Sequence, residues 1–384
     1  MRSLFSISLS IAIGALAANA ADASPVISSG SKASQQVATP NPVLLTVDDI
    51  RSIRSRPADF ASLVRKCGAE IDYQPKPVSV FAPEPHYTET GINQTDNNPK
   101  QLAADSLAAY RQGLCYVVTN DPKFAVAVHR IVDAYANTMT AVTTGQGKSS
   151  INFNMPYMIA AANWTYGVNG WKSVEFDKFL RNVVLPVSAA DRDNNHGMWA
   201  MLMEASAAVH LADPAILNKA RTRWIEIMKG ATAPDGTLTT EVARSGTTNW
   251  SGGPDKGKKG LAYTNYFLLP ASMAAKIFAD QGKPVWRGEG GDQLKAAFEK
   301  SAGWVRNPKT FPYYASNNGQ LSEPRNVVFY PLLLSVYPNA NAQAVLAEHG
   351  VSDGGFLLPK LYATGIPKKK RPMITAEARG KKKQ

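Results

Sequence analysis

The chain has 384 residues, of which 44% are hydrophobic, so it can bury a sizeable core as one large domain or two smaller ones. Its formal net charge is +12. It has no recognisable nucleic-acid-binding motif, and beyond the N-terminus no apolar run reaches the roughly 18 residues of a membrane span. We therefore expect neither a nucleic-acid partner nor a membrane span.

The first twenty residues have the pattern of a secretory signal peptide. Arg2 precedes the apolar stretch LFSISLSIAIGALA, and the small residues ANA at 18–20 predict cleavage after Ala20. This pattern predicts a periplasmic or secreted protein. Residues 21–45 are rich in Ala, Ser, Pro and Gln, which is typical of a flexible leader.

The predicted folded domain covers residues 46–365. Thr46 and Asp49 have the spacing of a capping box, and Pro57 suits a first helical turn. Cys67 and Cys115 can pair in an oxidising compartment, and two separate buried thiols are the alternative. Neither cysteine has a second Cys or a His at metal-ligand spacing, so we expect no metal site.

From residue 101 the apolar side chains recur at helical spacing, and short loops with Gly, Pro, Asn or Asp separate the segments. Strand alternation is scarce, and no repeat of fixed period indicates a solenoid. We predict an all-α fold, a single α/α toroid (an incomplete α/α barrel) of antiparallel helix pairs. The predicted helices lie near 101–119, 122–139, 155–168, 175–187, 195–212, 214–230, 262–281, 292–305, 326–337 and 341–350.

The stretch DRDNNHGMW, residues 191–199, places two amides and an imidazole at the start of a predicted helix. Asp193 or Asn194 can cap this helix, which leaves Asn195 and His196 to be explained. Among the other histidines, His129 and His210 lie in apolar helical patterns and are predicted to pack in the core. His349 lies at a helix end, where it favours the helix dipole.

A second stretch, residues 239–266, combines Glu241, Arg244, Trp250, Tyr263 and Tyr266 with several lysines. On composition alone, this stretch is equally consistent with a solvated loop. Together, N-N-H-x-x-W at 194–199, E-V-x-R at 241–244 and G-L-x-Y-x-x-Y at 260–266 resemble motifs of the alginate lyase superfamily of polysaccharide lyases. That superfamily includes mannuronate, oligoalginate and glucuronan lyases. The resemblance spans roughly residues 80–365, with its specific part at 194–266, and implies an α/α toroid.

The resemblance also implies residue roles. Asn195 and Arg244 contact the substrate carboxylate, His196 assists there or acts as the base, and Tyr263 is the acid and can also be the base. No cofactor is implied. The predicted substrate-binding residues are Trp199, Tyr87, His86, Tyr266, Trp250 and Lys259.

Four features depart from the family pattern. Val242 replaces the usual Leu, and Thr264 replaces the usual His after the catalytic Tyr. Eighteen residues separate Arg244 from Tyr263, where the family has a short gap, and this insertion is expected to reshape the substrate cleft. His86 and Tyr87 stand where the family tends to have a Lys-Tyr pair.

These residue types suit β-elimination from a polyuronate. Donors aimed at the carboxylate stabilise the charge that develops when the C5 proton is removed, and an acid protonates the leaving oxygen. The sequence leaves open mannuronan, mixed alginate or glucuronan, endo or exo attack, and the oligomeric state. The alternatives are a non-catalytic exported protein that binds anionic polysaccharide, and a glycosidase, for which Glu241 has no obvious carboxylate partner.

The C-terminal segment 366–384 carries eight lysines and arginines and one acidic residue, Glu377. Such a charge run predicts a disordered, solvated tail. It also suits an anionic polysaccharide partner, because a net positive charge attracts polyanions.

Overall fold

The computed structural model describes residues 41–88, 91–92, 96–246, 252–322 and 327–350. The predicted signal peptide, most of the predicted leader and the basic tail lie outside these residues. Among the described residues, no helix is long and apolar enough to cross a membrane.

Helices dominate the described chain, and the strands are only two residues long. The α-helices are α1 Val47–Arg54, α2 Ala61–Ala69, α3 Asn98–Thr119, α4 Pro122–Thr138, α5 Gly145–Trp164, α6 Val174–Phe179, α7 Asn195–His210, α8 Pro214–Ala231, α9 Gly260–Asp280, α10 Gly291–Arg306, α11 Tyr330–Leu334 and α12 Ala340–His349. The strands are β1 Val80–Phe81, β2 Tyr87–Thr88, β3 Gly91–Ile92 and β4 Ala141–Val142, with β1 parallel to β4 and β2 antiparallel to β3. Short 3₁₀ or π turns span Pro57–Phe60, Val168–Gly170, Leu180–Val184, Leu185–Val187, Pro308–Thr310 and Ala315–Asn317.

Four long helices pack in succession: α3 against α5, α5 against α7, and α7 against α9. Helix α4 packs on α3, α8 packs on α7, and α10 packs on α9 and α12. A continuous apolar core runs through these contacts, because α5, α7 and α9 are buried along most of their length. The prediction of an all-α toroid of helix pairs is confirmed.

The boundary of the predicted flexible leader is wrong at its C-terminal end. Residues Val43, Leu44 and Leu45 are buried in the core. The Trp164 indole N–H donates to the Val43 carbonyl at 2.7 Å, and the Val43 N–H donates to the Asn163 side-chain oxygen at 2.9 Å. The apolar run PVLL docks beside α5, because burying these side chains outweighs the entropy of a free leader.

Two further predictions are confirmed at the N-terminal end of the fold. Thr46 and Asp49 form a reciprocal capping box at α1. A disulfide joins Cys67 on α2 to Cys115 on α3. It therefore ties the first helices to the helical body.

The histidines predicted to be structural pack as expected. His129 is buried, and its Nε2 lies 3.1 Å from the Thr165 carbonyl oxygen. The His210 side chain is buried against Asp177, with 3.1 Å between Nε2 and a carboxylate oxygen. His349 is exposed at the end of α12. None of the three lies near the start of α7.

Candidate active site

The site begins at the first turn of α7. Asn194 is the N-cap, and its side-chain oxygen accepts the His196 backbone N–H at 3.0 Å, as the sequence predicts. Gly197 lets the preceding loop close on this turn, since a Cβ there would lie 1.9 Å from the Arg192 carbonyl oxygen. The tight closure fixes Asn195 and His196 at the mouth of the helix.

A turn at 239–244 meets this helix mouth through Glu241, which is fully buried. Its Oε1 accepts the Asn195 backbone N–H at 2.7 Å, and the Asn195 Nδ2 lies 3.1 and 3.0 Å from the two carboxylate oxygens. The Arg244 Nε lies 3.8 Å from Oε2. Burial raises the pKa of Glu241 to about 7, although Arg244 and the Asn195 donors act to lower it.

Tyr263 lies beside Arg244 despite the long insertion between them. The guanidinium carbon of Arg244 is 4.6 Å from the centre of the Tyr263 ring. The insertion returns to its starting point because the Lys259 N–H donates to the Arg244 carbonyl at 3.0 Å. Gly260 then begins α9, and a Cβ there would lie 1.9 Å from the Val242 carbonyl oxygen. Arg244 and Tyr263 are therefore close in the folded protein, although eighteen residues separate them in the sequence.

The early segment around β2 contributes Tyr87. The Tyr87 and Tyr263 hydroxyl oxygens are 2.9 Å apart. The Lys259 Nζ lies 5.6 Å from the centre of the Tyr87 ring, and His86 packs edge-on against that ring from an exposed position. Lys259 therefore places a cation beside Tyr87.

His196 is held by α5. Its Nδ1 lies 3.2 Å from the Ser149 hydroxyl, and its ring centre is 5.1 Å from that of Phe153. Burial, together with the charges of Arg244 and Arg192, lowers the pKa of His196 to about 4. The imidazole is therefore neutral at neutral pH and can accept a proton.

Two predicted site residues are placed differently from expectation. Trp199 is only 2% exposed and packs against Phe153 and Tyr266, with ring centres 5.8 and 5.3 Å apart. It supports the aromatic rings behind the site and, being buried, does not line an open cleft. Asn195 is also buried, with its amide turned to Glu241. In this arrangement the Asn195 amide is therefore not positioned to contact a substrate directly.

Several contacts at the site are not apparent from the sequence. Ser149 and Phe153 were not predicted, since the expected helix began near residue 155 and α5 begins at Gly145. Glu241 was noted only as part of a motif. Trp250 lies outside the described residues. Among the described residues, no group of three or more His, Cys, Asp or Glu side chains could hold a metal ion.

Several solved structures share this fold. Alginate lyase A1-III from Sphingomonas species A1 gives a TM-score of 0.59 at 16% identity, over 87% of this chain and 98% of that one. An alginate lyase from Bacteroides ovatus gives 0.64 at 15% identity, over 84% and 99%. A His-to-Ala variant of A1-III complexed with a tetrasaccharide gives 0.58 at 16% identity, over 88% and 98%.

At these identities the structural likeness establishes the fold. No curated protein sequence matches the chain. The model of the alginate lyase family matches residues 68–311, which is more than half of the chain. This chain therefore belongs to the alginate lyase family and is a polysaccharide lyase.

Proposed function

We propose that this protein is an exported lyase that cleaves a β-1,4-linked polyuronate by β-elimination and leaves a 4,5-unsaturated uronate end. One observation carries the proposal: Arg244 lies against the ring of Tyr263 and within 3.8 Å of the carboxylate that holds the start of α7. A guanidinium, a neutral imidazole and a phenol thus share one helix mouth. The predicted signal peptide supports export.

Arg244 is the group that binds the substrate carboxylate. Its guanidinium can hold a carboxylate through two parallel hydrogen bonds, and its side chain is 10% exposed. Removal of the C5 proton moves charge onto that carboxylate. A fixed cation in a buried site stabilises this charge more than water does.

One or two side chains carry out the proton transfers. The base takes the C5 proton, the electron pair forms the C4–C5 double bond, and the bond from C4 to the bridging oxygen breaks. Tyr263 then donates its hydroxyl proton to that oxygen. Tyr87, 2.9 Å from Tyr263, can return a proton between cycles.

The stereochemistry of the uronate decides which group is the base. In mannuronate and glucuronate the C5 hydrogen and the C4 oxygen lie on the same side, so Tyr263 can serve as base and then as acid. In guluronate they lie on opposite sides, so His196 must take the proton. The contact of Nδ1 with Ser149 directs Nε2 to that task.

Elements of the cleft suit an anionic polymer. Lys259 and Lys256 both lie on the insertion between Arg244 and Tyr263. Lys259 lies beside Tyr87, and the Nζ of Lys256 lies 5.6 Å from the centre of the Tyr313 ring. Cations next to aromatic rings suit sugars that carry carboxylates. The tetrasaccharide complex of the A1-III variant supports an oligosaccharide-sized site in this fold.

The experiment is a substrate panel. Mature protein is mixed with polymannuronate, polyguluronate and glucuronan, and the ultraviolet absorbance of the unsaturated uronate is followed. We expect absorbance to rise with at least one polymer and to stay flat with a Tyr263→Phe control. New reducing ends without absorbance would indicate a hydrolase. Binding without either product would indicate a non-catalytic protein.

A further inference from the structure

Asn195 and Glu241 meet in an arrangement that leaves one polar atom unsatisfied. The backbone N–H and the side-chain NH₂ of Asn195 both donate to Glu241, at 2.7 Å and at 3.0 to 3.1 Å. The Asn195 Oδ1 is buried and has no hydrogen-bond partner among the described residues. An unsatisfied buried acceptor is unfavourable, so an arrangement that gives it a donor is favoured.

The charged and titratable groups around Glu241 come from three elements. Arg244 lies on the same turn, 3.8 Å away and outside hydrogen-bond range. His196 follows Asn195 on α7 and is neutral at neutral pH. Tyr263 on α9 packs against Arg244. A substrate carboxylate that binds Arg244 therefore competes with Glu241 for a shared cation.

We propose that Glu241 and Asn195 form a proton-linked amide switch that admits the substrate carboxylate, an inference that rests on the proposed function. On substrate binding, Oε2 of Glu241 takes up a proton from solvent. The Asn195 amide rotates by half a turn, so that its Oδ1 accepts the new O–H and its NH₂ occupies the former place of Oδ1. The Asn195 backbone N–H stays on Oε1. Glu241 is thus a positioning residue that acts through Asn195 and Arg244.

The protonated state gives the unsatisfied amide oxygen a partner. Oδ1 accepts the hydrogen bond of the protonated Glu241 carboxyl, the NH₂ turns away from Glu241, and Arg244 gives its full charge to the substrate carboxylate. Burial raises the pKa of Glu241 to about 7, so the proton is available near neutral pH.

Glu241→Gln reproduces the protonated state, because its amide oxygen can accept the backbone N–H and its NH₂ can donate to Oδ1. We expect wild-type kcat/KM on the cleaved polymer to fall about tenfold per pH unit above the pKa of Glu241. The Gln variant should lack this fall and exceed the wild type at least about tenfold at pH 9, by the same proton linkage. Glu241→Ala should be slow at every pH.

Glu204→Gln is the matched control. Glu204 is also buried on α7, its pKa is raised by burial, and it accepts a hydrogen bond from Ser188. It should keep the wild-type fall. The switch is overturned if Glu241→Gln keeps that fall, or if it is as slow as Glu241→Ala throughout.

A second measurement needs no turnover. In free protein labelled with ¹³C-Glu and ¹⁵N-Asn, the Glu241 carboxyl signal and the Asn195 amide signals should move with one midpoint pH. A Glu241 titration without movement at Asn195, or no titration between pH 5 and 9, overturns the switch. If the wild type cleaves no polyuronate, the proposed function fails and this measurement still decides the switch.

Discussion

Two fully buried carboxylates, Asp105 and Glu241, show how differently this protein treats a buried charge. Asp105 on α3 accepts hydrogen bonds from Tyr73, Tyr135, Gln101 and the Lys76 backbone N–H, at 2.5 to 3.0 Å. Glu241 accepts hydrogen bonds from Asn195 and a long one, of 3.4 Å, from the Thr240 hydroxyl. The Arg244 Nε lies 3.8 Å from its Oε2. The first carboxylate is surrounded by donors, whereas the second lies near a cation and is held by an amide whose own oxygen is unsatisfied.

The difference separates a structural carboxylate from one in a chemical site. The donors to Asp105 come from α3, α4 and the segment after α2, so this cluster fixes the packing of the first helices. Glu241 links α7 to the turn that carries Arg244, and its partners can rearrange. A fully satisfied network rigidifies a core, whereas an incompletely satisfied one leaves free energy for a ligand to recover.

The largest expected effect is at Tyr263, in the region of Glu241. Tyr263→Phe should lower turnover by about 10³-fold or more, because it removes the acid that protonates the leaving oxygen. Melting temperature and absorbance at saturating polymer are the measurements. Tyr110→Phe is the control, since it removes a buried hydroxyl from the core. Retained turnover in Tyr263→Phe would assign the acid to Tyr87 or Tyr266.

The next effect concerns Asn195, His196 and Arg244 as one unit. Each single change to Ala should lower turnover about 10²–10³-fold, the typical cost of removing one preorganised donor. Double changes should add little, because a broken site has little left to lose. Asn194→Ala is the control: loss of the cap should cost about 1 kcal/mol of stability with normal turnover per folded molecule. Lower melting with intact turnover in the three site variants would contradict the proposed site.

The two carboxylates should then differ in stability. Asp105→Asn should lower the free energy of unfolding by about 2–4 kcal/mol, since it leaves buried donors without an acceptor. Glu241→Gln should be near neutral, and stabilising above pH 7. The raised pKa of Glu241 means that its contribution to stability is present below about pH 4.5 and is lost as the pH rises through about 7. Urea unfolding at pH 5 and pH 8 measures both. Equal losses of unfolding free energy in Asp105→Asn and Glu241→Gln would contradict the difference proposed between the two carboxylates.

Much of this fold follows from the sequence alone. The predicted helix at 214–230 is observed at Pro214–Ala231, and 292–305 at Gly291–Arg306. Apolar periodicity and short caps define these segments locally. Helix α5 begins ten residues earlier than the sequence pattern predicts, because its first turns, GQGKSSINFN, contain few apolar residues, and Ser149 and Phe153 among them contact His196. Residues chosen for chemistry break the apolar pattern that prediction relies on.

The sequence predicts which residues form the site better than it predicts how they contact one another. The motifs named Asn195, His196, Arg244 and Tyr263, which the structure gathers around one helix mouth. The pairing of Asn195 with Glu241 and of His196 with Ser149 joins residues 46 and 47 positions apart. Such contacts depend on helix packing, which spacing along the chain does not encode.

His196 provides a smaller, pH-dependent test of the same region. Its pKa in the folded protein, about 4, is below the ordinary value of 6.5. Its contribution to stability is therefore present above pH 6.5 and is lost as the pH falls through 4. Melting temperatures should fall more between pH 6.5 and 4 in the wild type than in His196→Gln. His349→Gln, at an exposed site, should follow the wild type; identical profiles for all three would contradict a buried neutral imidazole.

The smallest effect is expected from the basic tail, whose predicted solvent exposure is the opposite of the burial of both carboxylates. Eight Lys and Arg residues follow Pro367, and GIPKKKRP has no apolar face to pack. Truncation after Ile366 should leave the chemical step unchanged and raise the apparent KM a few fold at low salt. The difference should shrink as the Debye length falls from about 30 Å at 0.01 M to about 8 Å at 0.15 M salt. A tail of equal length with Gln at the eight positions should match the truncation, because the attraction depends on charge. Loss of folding on truncation, or a KM difference that persists at high salt, would instead show that the tail packs on the folded domain.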